Sequence, residues 1–67
     1  MKLPGLRMAR KRNDLTQFGL QEKTGITEAR LCRLETGRSA PTDYELSTLA
    51  NALGVTQEEL RYGSKPE

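Results

Sequence analysis

The side chains able to do chemistry in this chain are ammonium, guanidinium, carboxylate, amide and hydroxyl groups, with no imidazole and a single thiol among 67 residues. One cysteine cannot close an internal disulfide, and without histidine a zinc, haem or histidine-based catalytic centre lacks its usual donors. No glycine loop has phosphate-cradling spacing and no two acids are placed to enclose a pocket, so an enzyme is the weakest reading and neither metal nor cofactor is expected. What is left is recognition by charge and hydrogen bonding. One stretch concentrates it: Glu28, Ala29, Arg30, Cys32 and Arg33 form the outer face of a helix whose inner residues are Leu31 and Leu34. Charge is divided unevenly as well. Residues 1–38 carry nine Lys/Arg against four Asp/Glu, and residues 39–67 carry two against five. The basic half is where a polyanion would sit.

The elements that present this face follow from composition and spacing. A chain of this length forms one domain at most and buries only roughly 60% of the surface its unfolded form exposes. Hydrophobic residues are 34% and aromatics 4%, so the core must come from Leu, Ile, Val and Ala, which favours helices. Charged residues reach 30%, but the signs nearly cancel and the leucines recur at helical spacing, so disorder is rejected. No apolar run approaches the roughly 20 residues needed to cross a bilayer, and the N-terminus lacks the apolar stretch of a signal peptide. A soluble protein in a reducing cytoplasm, with no membrane partner, is expected.

Along the chain, Leu3, Leu6, Ala9 and Arg10 place a first helix over 3–12, with Pro4 in its first turn and Asn13 and Asp14 as a loop. Thr16 caps a second helix from Gln17 to Thr24 that stops at Gly25. Thr27 caps a third, ending at Thr36 and Gly37, and Arg38 to Pro41 form a loop. Thr42 starts a fourth helix, in which Leu46, Leu49, Ala50 and Leu53 share a face until Gly54. Thr56 and Glu59 match the reciprocal S/T-x-x-E capping pattern and open a fifth helix over 57–62 with Leu60 inward behind Val55. Residues 1–62 are then one domain and 63–67 a disordered tail. Leu20, Thr24, Ile26, Leu31 and Leu34 form a buried seam between the second and third helices, and Gly25 lets the chain turn between them.

With these elements in place, the sequence resembles the phage repressor and Cro type (XRE family) of helix-turn-helix DNA-binding domains. The residues that carry the resemblance run from Leu6 to Leu60: Arg10, LTQ at 15–17, TGIT at 24–27, RLETGR at 33–38, Pro41 and LANALGVTQEEL at 49–60. Each signal alone is weak, and their joint order and spacing are specific. The resemblance implies an all-α, compact five-helix, lambda-repressor-like domain whose third helix enters the DNA major groove. It places Thr27, Glu28, Ala29 and Arg33 at base-reading positions. There a guanidinium pairs with guanine, a carboxylate accepts from the cytosine amino group and an alanine methyl meets thymine. It assigns Gln17, Arg30, Thr36, Arg38, Ser39 and Thr42 to phosphate, and Arg10 with Glu35 to a structural ion pair between helices one and three.

Other residues are given plainer roles. Arg7, Lys11 and Arg12 read as a solvated helix surface, and Cys32 as a plain groove-lining or surface thiol rather than a sensor. Three residues depart from the family pattern: Gln21 stands where alanine is usual and must bend outward, Gly19 weakens a helix interior, and Phe18 is an aromatic in need of a contact. The function implied is a transcriptional regulator of bacterial or phage origin, associated with the nucleoid, that binds double-stranded DNA. It would act as a repressor on a palindromic operator as a homodimer, with subunit contacts around Val55, Leu60 and Tyr62. An antitoxin with a toxin partner, a restriction-modification controller and a protein-interaction module are the alternatives.

Overall fold

A computed structural model describes residues 3–63, and every described helix is α. They are α1 (Pro4–Arg12), α2 (Gln17–Thr24), α3 (Glu28–Thr36), α4 (Asp43–Leu53) and α5 (Gln57–Tyr62). The expected all-α, five-helix architecture is present, with α1 beginning one residue later than the leucine spacing suggested. None of these helices is long and apolar enough to cross a membrane. Of the tail expected over 63–67, Gly63 is half-buried and its amide donates to the Glu59 carbonyl at 2.8 Å, while 64–67 lie outside the described residues.

Threonine sets four of the five helix starts. Thr16, Thr27, Thr42 and Thr56 each lie in extended backbone and accept a hydrogen bond from the amide three residues on, which satisfies one of the free donors of a first helical turn. The reciprocal box falls elsewhere than expected. At Thr42 both halves are made, Glu45 N donating to Thr42 Oγ1 and Thr42 N to Glu45 Oε1. At Thr56 the structure records the Glu59 amide donating to the threonine hydroxyl oxygen at 3.0 Å, without the return bond. The segment at 42–45 has the same S/T-x-x-E spacing, and its glutamate is additionally fixed by an arginine, as described below.

The core is a leucine cluster. Leu3, Leu6, Leu20, Leu31, Leu34, Leu49 and Leu60 are below 2% exposed, and Ala9, Ile26, Leu46, Ala50 and Leu53 complete it. Each fully buried leucine contributes about 1.5 to 3 kcal/mol by leaving water. Leu60 packs inward in this cluster, as its position behind Val55 suggested, with no exposed surface, so its own side chain is not available to a second subunit. Val55 is half-buried against the core, and Tyr62 is 70% exposed.

The tightest approach joins α1 to α5. A Cβ placed on buried Gly5 would fall on the backbone carbonyl of Glu59 and press on the Cα of Leu60. Only a residue without a side chain lets these two helices pack so closely. At the other end of α1, Asn13 Nδ2 donates to Ala9 O at 2.8 Å and to Leu53 O at 3.2 Å, tying the end of α1 to the end of α4.

Candidate nucleic-acid interface

Two short helices and the turn between them present the candidate surface. α2 is eight residues long, too short to persist alone, and Leu20 anchors it in the core. At its end Gly25 adopts a left-handed conformation with φ 80°, its amide donating to Gln21 O at 2.7 Å. Thr24, expected as part of the buried seam, is half-buried and works on the turn instead: its hydroxyl donates to Leu20 O at 2.8 Å and accepts from Ile26 N at 3.1 Å. Ile26, Leu31 and Leu34 then fix α3 against the core.

With that face buried, the opposite face of α3 is solvent-exposed. Glu28, Ala29, Cys32, Arg33 and Thr36 lie along it, preceded by exposed Thr27. All four residues expected to read bases are therefore on the surface. The Arg33 side chain makes no hydrogen bond or ion pair with other described residues, so among them its guanidinium fork is uncommitted; its backbone carbonyl accepts from Arg38 N at 2.9 Å. The Thr36 hydroxyl donates back to Cys32 O at 2.9 Å, and Cys32 itself is an exposed free thiol.

Beneath this surface, charged groups fix the helices. Arg10 Nε donates to Glu35 Oε2 at 2.8 Å and Arg10 Nη2 to Glu35 Oε1 at 3.1 Å, with the two side chains only 10% and 7% exposed. Arg10 Nη1 donates to Leu15 O at 2.8 Å, and Gln17 Nε2 donates to Glu35 Oε1 at 3.2 Å. One carboxylate on α3 thus gathers α1 and the first residue of α2. Gln17, assigned to phosphate, is oriented by this bond and keeps a second amide hydrogen for another acceptor.

Arg30 is also engaged. Its Nε and Nη2 donate to the two carboxylate oxygens of Glu45, both at 2.8 Å, and Nη2 donates to Ala40 O at 2.9 Å. The guanidinium holds the Glu45 carboxyl down at about 2, with the Thr42 amide adding to the effect against the cost of burial. The same carboxylate raises Arg30 above its ordinary value. Arg30 Nη1 makes no hydrogen bond with the described residues. Sequence reasoning missed this clamp, although a T-x-x-E start on α4 opposite an arginine on α3 was a signal for it.

Of the remaining phosphate candidates, Arg38 is exposed, Ser39 half-buried and Thr42 exposed at the start of α4. They follow α3 directly, on the segment that Arg30 and Glu45 brace. Gln21, expected to bend outward, turns to α3 and accepts from Glu28 N at 2.7 Å. Phe18 is 54% exposed beside Gln17, and Gly19 has Leu15 and Thr16 side-chain atoms 3.3 Å from where a Cβ would lie.

Comparison with known proteins agrees with this geometry. A helix-turn-helix domain family matches residues 5–62. The chain is 43% identical over 61 residues to the uncharacterized HTH-type transcriptional regulator y4dJ of Sinorhizobium fredii, covering 88% of this chain and 79% of that protein. No solved structure shows a significant match. With α2, the Gly25 turn and the outward face of α3 arranged in this way, the chain belongs to the helix-turn-helix domain family, the DNA-binding class its motifs resemble.

Proposed function

We propose that the protein is a sequence-specific regulator of transcription that binds double-stranded DNA with α3 in the major groove. The observation that carries this reading is the split of α3 into a face locked in the core by Leu31 and Leu34 and a free face bearing Thr27, Glu28, Ala29 and Arg33. Those side chains offer a fork of donors, a carboxylate acceptor, a hydroxyl and a methyl, the four contact types that distinguish base pairs in that groove. Gln17, Thr36, Arg38, Ser39 and Thr42, with Arg30 through Nη1, contact phosphate on either side. A relative described as a transcriptional regulator supports the same reading.

Two copies would place their α3 helices in successive major grooves about 34 Å apart on a palindromic operator, since one such surface is too small to bind tightly alone. Bound there, the dimer excludes polymerase and acts as a repressor. Selection from a random duplex pool tests the proposal: a recovered palindrome whose affinity falls steeply with salt supports it. Recovery of no preferred sequence, or binding indifferent to salt, would sink it and favour a protein-interaction module.

A further inference from the structure

Two side chains from different elements hold the first turn of α3. Thr27 caps its own helix by accepting from Arg30 N at 3.2 Å. Gln21, on α2 and half-buried, reaches across the turn and accepts from Glu28 N at 2.7 Å. The first amides of a helix have no partner within it and are satisfied by side chains, by water or by an approaching anion. Gln21 has taken the amide of the first residue of α3, at the end where Thr27 and Glu28 stand ready for bases. The repressor and Cro pattern usually has alanine at this position, whose methyl cannot accept a hydrogen bond.

We infer that Gln21 is a positioning residue for base recognition, fixing the entry of α3 and withholding the Glu28 amide from the nucleic acid, so that this end of the helix reads by side chains. The inference rests on the proposal that α3 reads bases. Its range is short: Gln21 governs the base pairs facing Thr27 and Glu28, and leaves the pair facing Arg33, more than a turn along the helix, to Arg33 itself.

The test is selection from a random duplex pool with wild type, Gln21→Ala and Gln21→Glu, alongside circular dichroism to confirm folding. Gln21→Ala should lose about five- to tenfold of discrimination at the pairs nearest the start of α3, the worth of one hydrogen bond, while keeping the preference set by Arg33. Gln21→Glu retains an acceptor oxygen at the same place and should restore the discrimination, while binding every duplex more weakly because it adds negative charge. Should the alanine variant unfold, Gln21→Met keeps the length and apolar packing, removes the acceptor and carries the same expectation. An unchanged selected sequence, or a loss spread evenly over all positions, overturns the inference alone. A wild type that selects no duplex overturns the regulator proposal and this inference with it.

Discussion

Arg30 and Glu45 join α3 to α4 through two parallel hydrogen bonds, Nε to Oε2 and Nη2 to Oε1, each 2.8 Å long. The same carboxylate accepts the Thr42 amide at 2.9 Å, and the same guanidinium donates to the Ala40 carbonyl at 2.9 Å. The segment carrying Arg38 and Ser39 is therefore pinned near its end to the helix that precedes it. Groups proposed to touch bases and groups proposed to touch phosphates share one rigid frame.

That frame carries a pH signature. Glu45 sits at about 2 when folded against an ordinary 4.5, so its contribution to stability is complete above 4.5 and is lost as the pH falls from there toward 2. Thermal melts of wild type and Glu45→Gln should differ most near neutrality and converge in acid. A difference that stays constant over that range would show that the ionised carboxylate is not what stabilises the junction.

The pair of Arg10 and Glu35 behaves differently because it is more deeply placed, at 10% and 7% exposure. Glu35→Ala leaves a guanidinium buried without its charge partner and should cost about 3 kcal/mol, a large part of the stability of so small a domain. Replacing both, as Arg10→Met with Glu35→Leu, should recover most of that loss. Urea denaturation measures both variants, and a double variant no more stable than Glu35→Ala would contradict the account.

Gly5→Ala should destabilise by about 1 to 3 kcal/mol, despite the higher helix propensity of alanine, because the new methyl meets the Glu59 backbone, which can yield only if α5 moves away. A calorimetric midpoint equal to or above that of wild type would mean that α1 and α5 are not in the contact described.

At the DNA surface, Arg33→Ala should cost roughly 1 to 3 kcal/mol on the preferred duplex and relax the choice of base at one position. Gln17→Ala should weaken all sequences by a similar factor, as a phosphate contact does. Titrations against the selected duplex and a scrambled one separate these effects. If both variants bind each duplex like wild type, α3 and the start of α2 are not the interface.

How much of this was legible in the sequence depended on distance along the chain. Thr16, Thr27, Thr42 and Thr56 bond amides three residues away, so the helix starts could be read locally, and the leucine spacing gave the buried faces. The box at Thr42 and Glu45 has the same local form and was overlooked in favour of Thr56 and Glu59. Gly5 against Glu59, Arg30 against Glu45 and Gln21 against Glu28 were not legible, because each depends on how two helices approach across a turn or across the core. The exposed face of α3 was readable as soon as Leu31 and Leu34 were set inward.

The leucine core also has an optical consequence. The chain has no tryptophan, and its two tyrosines, Tyr44 and Tyr62, are 72% and 70% exposed in the folded protein. Both fluorophores are already in contact with water before denaturation, so their emission should change little when the helices melt. Ultraviolet fluorescence of this molecule is therefore a poor gauge of folding, and its unfolding is better followed by the far-ultraviolet dichroism of the five helices.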